Sequence, residues 1–476
     1  MVSDEQRVSE NEGRRWFRRF LSRRKWILAG LAVFLAAYCG YRIVLWRQIS
    51  SRRDHIRSSG HPVTLGDLND YYPEPPEGAR NAAELYMQAF SELSEHWEMR
   101  MHQQYDPYGS DFRDAMREGP PSPEAVDQLA AELAGKEATL ELLREAASLG
   151  HCRYPVQYSP GWYEDSLEGW HARDLQYIEY MERARILLRL EALMASWEDD
   201  PDRAFRCIYS KIGLAKSLEQ EPQVQSQTTR AVYLMSASLW LEFFLSGVRF
   251  DDGQLAMLAE ELRSADLPGV WERAAAGRRC EAHAFFHLLR KGGPAPDSIV
   301  RFSLESPGAE VSDLKLPPGY VSLGLWHLDY IYFLRFMDRS FRWYRTEVRE
   351  ALSGKGQPLP DRRAPRFDPP GIFRISQYCE DWGSGIRMDH GVVGEGFMVR
   401  LHWHVRAALI GVALERRRLE TGAFPNELEE LVPGYLDSVP LDPATNDPIG
   451  YERTPEGYML FSARFDSWDW KVNLRE

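Results

Sequence analysis

The stretch ILLRLEALMASWEDDPDRAFRCIYSKIGLAKSL, residues 186–218, decides the fold. Ile186, Leu190, Leu193 and Trp197 recur at intervals of three and four, the spacing that lines one face of a helix. Asp200-Pro201 then restarts the chain: an acid able to accept from a first-turn amide, followed by the ring best tolerated at the first helical position. Ala204, Cys207, Ile208, Ile212, Ala215 and Leu218 form a second stripe. Two amphipathic helices joined by a short acidic turn make a hairpin of the kind found in tetratricopeptide-like repeats. No second copy follows at a fixed period, so the expected fold is mainly α, an irregular helical-hairpin body and not a regular solenoid.

The same pattern extends in both directions. Ser122-Pro123-Glu124 combines an N-cap hydroxyl, proline and an acid near the positive end of a helix, and predicts a helix start. Further helices are expected over about 223–246, 252–264, 270–289 and 325–352, the last with Trp326, Tyr330, Phe333 and Met337 on one face. Proline and glycine punctuate the rest. Gly60 to Gly78, ending in Tyr71-Tyr72-Pro73-Glu74-Pro75-Pro76, reads as a tether, and Gly354 to Gly371, with five prolines and three glycines, reads as a linker. The expected organisation is a basic stub (1–25), a transmembrane helix (26–46), a tether (47–78), a helical domain (79–353), a linker (354–371) and a C-terminal helix with a small β-hairpin (372–476).

The transmembrane expectation rests on Trp26 to Trp46. Its 21 residues carry one charge, Arg42, and at about 1.5 Å per residue they span about 31 Å, the thickness of a hydrocarbon core. Arg42 lies near one end, where its stem is expected to snorkel to the headgroups. Arg14, Arg15, Arg18, Arg19, Arg23, Arg24 and Lys25 precede the segment, whereas Arg47, Arg52, Arg53 and Arg57 follow it. That imbalance favours a cytoplasmic N-terminus and an extracytoplasmic body in a single-pass inner-membrane protein. A cleaved signal peptide is the rival reading, but Tyr38 interrupts the small residues a cleavage site needs.

Charge divides the chain at the same place. The net charge of −13 combines residues 1–60, with 13 Lys/Arg and 5 Asp/Glu, and the other 416 residues, with 45 basic and 66 acidic side chains. An acidic body without a basic stripe repels polyanions, so nucleic-acid binding is excluded as an expectation. The five cysteines form no C-x-x-C pair. Cys39 lies in the anchor; Cys152, Cys207, Cys280 and Cys379 read chiefly as buried thiols, with two disulfides as the alternative for an exported body.

Several blocks of the central region resemble a family of bacterial membrane-anchored helical proteins of unknown function. They are Asn81-Ala82-Ala83-Glu84-Leu85-Tyr86, Leu142-Leu143-Arg144-Glu145-Ala146-Ala147, Cys152-Arg153-Tyr154-Pro155 and Glu221-Pro222. The resemblance spans roughly residues 60 to 250 and implies no activity. The last 75 residues or so resemble the C-terminal module of type II secretion major pseudopilins. The ordered features are Leu419-Glu420-Thr421-Gly422-Ala423-Phe424-Pro425, Leu428-Glu429-Glu430-Leu431-Val432-Pro433, Val439-Pro440-Leu441-Asp442-Pro443, and a hairpin expected at Ile449–Arg453 and Tyr458–Ser462. No Gly-Phe-Thr-Leu-x-Glu processing site occurs in this sequence, and the anchor is not continuous with this module as it is in that family. Pseudopilin-type polymerisation is therefore not implied. The family's calcium loop would fall on Ser462–Asp469, where Asp466 and Asp469 are the candidate carboxylates.

Chemistry independent of resemblance centres on Cys280, His283 and His287. Their i, i+3, i+7 spacing puts a thiol and two imidazoles on one helical face, the ligand types zinc uses. Phe285, Phe286 and Leu288 around them favour a buried helix, and no fourth ligand is identifiable. His402-Trp403-His404 would suit a strand ligand pair, but the surroundings are helical and turn the two rings apart. Neither a nucleophile elbow, a His-Glu-x-x-His pair nor a phosphate loop occurs. The leading expectation is therefore a non-catalytic, membrane-anchored cell-envelope protein that binds or scaffolds protein partners outside the cytoplasm, without a cofactor. The alternatives are a membrane-tethered metal-dependent enzyme and an accessory of a secretion or pilus-type machine.

Overall fold

The computed structural model describes residues 4–93, 122–158, 176–265, 267–290, 319–361, 370, 373, 375–376, 395–465 and 469–474. The chain is mostly helical, with one small antiparallel sheet. α1 (Asp4–Ser58) is a single unbroken helix that carries the apolar segment into the body. α2 (Leu65–Tyr71), α3 (Ala82–Glu92), α4 (Pro123–Leu133) and α5 (Glu137–Ala147) follow it. The hairpin is α6 (Gln176–Trp197) with α7 (Pro201–Lys216), and α8 (Val224–Gly247), α9 (Asp252–Ser264) and α10 (Leu267–Arg290) come next. α11 (Leu325–Trp343) runs through a wide turn, Tyr344–Val348, into Arg349–Leu352. α12 (Glu395–Thr421) then leads to strands β1 (Gly450–Thr454), β2 (Gly457–Phe461) and β3 (Asp469–Asn473).

Local chemistry explains the helix starts. Ser122 accepts from the Ala125 amide with Pro123 at the first position, and Asp200 accepts from Arg203 with Pro201 behind it. Asp251 and Gln254 cap each other reciprocally. The hairpin expected at 186–218 is therefore present, and α8 lies against it, buried on most of its circumference and packed against α7, α10, α12 and β3.

Three boundaries expected from composition are corrected. Residues 47–78 are not a tether: α1 continues to Ser58, and Ile49, Ile56, Val63, Leu65, Leu68 and Tyr72 belong to the core. Asp67 fastens this stretch by accepting from Arg57 at 2.9 Å and from the Val63 and Thr64 amides. Burial alone would raise its pKa, but these donors hold it down at about 2. In the described part of the expected linker, residues 354–361, Leu359 is fully buried while Lys355, Gly356 and Gln357 are exposed.

The C-terminal region packs directly on the helical body. α12 packs against α8 and α9, Arg416 pairs with Asp252 at 2.7 Å, and Glu242 of α8 accepts the Lys471 amide of β3 at 3.1 Å. Residues 397–421 are long and apolar enough to cross a membrane, yet most of that span is buried in the body, as befits a core helix. The apolar span that begins at Trp26 is exposed instead, with Trp26, Ile27, Leu28, Val33 and Phe34 all open. β1 and β2 form the expected hairpin, and β3, which was not expected, adds to its far edge.

Candidate functional site

Cys280, His283 and His287 lie on one face of α10, but that face is closed by α11. His283 Nδ1 is hydrogen-bonded to the Tyr330 hydroxyl, the His287 ring meets Trp326 edge-on at 5.3 Å, and Phe286 packs on Tyr330 at 5.0 Å. Burial and the neighbouring His287 push the His283 imidazole down to about 2, and burial pushes the Cys280 thiol up. No group of three His, Cys, Asp or Glu side chains able to hold a metal exists among the described residues. On this face the His283 and His287 rings meet those of Tyr330 and Trp326. Asp466 lies outside the described residues, and Asp469 opens β3, opposite Phe461. His402 and His404 are buried in α12, each pushed down to about 3 chiefly by desolvation.

A cleft of about 410 Å³ opens elsewhere, where the C-terminal ends of α5, α7 and α9 meet the start of α3 and the segment after Gly150. Asn81 organises it: its side chain caps α3, donates to the Arg153 carbonyl and accepts from the Arg153 amide, both at 2.9 Å. The Ala82 amide bonds His151 O at 2.9 Å, which fixes Cys152 in the wall. Tyr154 and Ser217 share a hydrogen bond at 2.9 Å, and burial pushes the Cys152 thiol up. At the rim, Lys216 reaches Glu261 at 2.5 Å and Ser264 at 2.9 Å, and Tyr209 donates to Glu261 at 3.3 Å.

Two properties distinguish this cleft. Three helix C-termini converge on it, and each contributes a partial negative charge that favours a cation. The Tyr86 hydroxyl in its wall is buried and finds no hydrogen-bond partner among the described residues. Three of the blocks singled out in the sequence, at Asn81–Tyr86, Leu142–Ala147 and Cys152–Pro155, meet around it. Sequence reasoning did not assemble them, because only the tertiary pairing of Asn81 with Arg153 brings them together.

A second built region lies where α1 leaves the apolar segment. Arg42 turns toward the body. It donates to Val321 O at 2.5 Å and to Ser322 O at 3.3 Å, and Tyr38 donates to Ser322 O as well. Gly324, at φ +84°, lets the start of α11 approach, because a Cβ there would lie 2.9 Å from Tyr41 and 3.1 Å from Leu45. The adjoining turn presents Leu323 63% exposed beside this apolar helix. No protein-family model matches the chain, and neither curated proteins nor solved structures give a match, so its function is read from these sites alone.

Proposed function

We propose that this is a non-catalytic binding protein of a bacterial cell envelope, anchored by residues 26–46 with its N-terminus in the cytoplasm and its body outside. In this reading the cleft receives a cationic side chain of a protein partner. The observation that carries it is the convergence of three helix C-termini on one cleft that also holds a tyrosine hydroxyl with no hydrogen-bond partner among the described residues. A lysine or arginine would donate to that hydroxyl and lie in the field of the helix ends.

The anchor geometry supports a body held hard against the bilayer. From Trp26 to Ala37, before the first contact with the body, α1 offers 12 residues, roughly 18 Å of helix against a hydrocarbon core of about 30 Å. The turn at residues 320–324 would then lie in the outer leaflet. Its Val321 and Ser322 carbonyls are satisfied by Arg42 and Tyr38, as backbone in lipid requires.

The test is photo-crosslinking in cells from a photoreactive side chain at Ser264, on the exposed rim. A discrete protein adduct that disappears when Ser148→Trp blocks the mouth is the expected result. An adduct indifferent to that substitution, or substrate turnover by the purified protein, would sink the reading. Tyr86→Phe separates binding from folding. Losing a buried hydroxyl with no partner among the described residues should leave stability unchanged or raise it by about 1 kcal/mol, seen in the thermal midpoint, while the adduct yield falls.

A further inference from the structure

We propose that the cleft between α1 and α11, walled by Arg47, Arg52 and Arg335, binds the phosphate group of a membrane phospholipid. The inference rests on the reading that α1 crosses the bilayer.

The apolar segment closes at Trp46, and the next residue is Arg47. Val44, Arg47, Gln48, Ser51 and Arg52 follow one another on a single face of α1, and Arg335 faces them from α11 across a space of about 340 Å³. The arginines therefore stand within roughly 9 Å of the end of the apolar run, in the layer that headgroups occupy.

Charge in this cleft is unbalanced. None of Arg47, Arg52 and Arg335 makes a hydrogen bond or ion pair within the described residues. The nearby Asp338 is engaged by Arg342 at 3.2 Å. Burial lowers the Arg52 pKa, and so do the charges of Arg335 and Arg342, opposed only by Asp338. Among the described residues no carboxylate lines this cleft, and an anion would relieve the mutual repulsion. Guanidinium forks match phosphate oxygens in pairs, and Gln48 and Ser51 add neutral donors. A phospholipid fits better than a free anion because the lower edge of the cleft is Val44. Exposed Ile43 and Trp46 beside it offer acyl chains an apolar surface continuous with the headgroup position.

The test uses the full chain purified in detergent micelles, with phosphatidylglycerol added and its retention read by native mass spectrometry. Combined Arg47→Gln, Arg52→Gln and Arg335→Gln should raise the lipid concentration needed for one-to-one retention by about tenfold. Arg206→Gln, Arg249→Gln and Arg339→Gln together, with the same loss of charge outside the cleft, should leave it unchanged. Excess inorganic phosphate should not displace the lipid. Equal retention by wild type and cleft variant, equal loss in the control variant, or displacement by inorganic phosphate would each overturn the proposal. Alkaline carbonate washing of membranes tells the two failures apart. If the wild type washes off, the spanning reading falls and this site with it; if it stays while retention ignores the arginines, only the lipid site falls.

Discussion

Gly277→Ala is expected to lower the stability of the body by about 3 kcal/mol. Gly277 lies inside α10, where glycine costs helix propensity, so its presence needs a packing reason. That reason is the turn after α7. A Cβ at position 277 would lie 2.0 Å from the Pro222 carbonyl oxygen and 3.2 Å from the Gln223 Cα. Both obstacles are backbone, so no rotamer relieves them. The turn itself cannot yield easily, because Gln227 holds the Leu218 and Glu221 carbonyls at 2.8 and 2.7 Å, and buried Glu221 is bonded to Tyr177. Denaturant unfolding followed by tryptophan fluorescence checks this. Gly66→Ala is the control, since its Cβ would meet only Thr64 Oγ1, at 3.7 Å, and alanine there should be neutral or stabilising by about 0.5–1 kcal/mol. Equal behaviour of the two variants would show that α10 can move away from the turn.

That contact also marks where sequence reading stops. The helix starts at Ser122-Pro123 and Asp200-Pro201 were legible because a cap and its amide lie three residues apart, and the α6–α7 hairpin was legible because its apolar stripes repeat locally. Gly277 against Pro222 involves residues 55 positions apart, and no local rule connects them. Proline content misled for a related reason. It described the backbone of Pro73–Pro76 correctly as irregular, but said nothing about Val63, Leu65 and Leu68, which bury a short capped helix against α10. β3 was missed because Trp470 and Val472, its two buried residues, give too short an alternation to stand out.

The candidate sites divide similarly. The spacing of Cys280, His283 and His287 placed them on one face, but whether that face meets ligands or rings depends on Trp326 and Tyr330 of another helix. The cleft at Tyr86 and Cys152 had its blocks visible in sequence without their meeting point. Arg42 was visible as a lone charge in an apolar run, but its carbonyl acceptors lie near residue 321.

Lys211→Met is expected to stabilise the protein, by roughly 1–4 kcal/mol near neutral pH, and to remove one component of its pH dependence. Lys211 sits in α7 at 0% exposure, its nitrogen 2.6 Å from Ser236 Oγ and 3.3 Å above the centre of the Trp240 ring. No carboxylate forms an ion pair with it among the described residues. Glu182 is the acid whose charge supports it, but that carboxylate is already bonded by Arg185 at 2.8 Å and Tyr233 at 3.0 Å. Burial drives the Lys211 pKa well below 10.5, and the charges of Arg185 and Arg189 push it the same way. The sign follows from proton counting. Between the depressed folded value and the ordinary 10.5, the unfolded chain holds a proton that the folded chain has released, so stability rises with pH through that window and levels off above it. Methionine has a similar flexible stem, fills the space and titrates nothing. The stability advantage of the variant, measured as a difference in urea midpoint against wild type, should therefore shrink as pH rises from 7 toward 10. Taking the difference cancels the titrations common to both proteins. A constant advantage would mean that Lys211 keeps its proton in the fold. A loss of stability at every pH would mean that its charge is held by the Trp240 face and Ser236 strongly enough to offset burial.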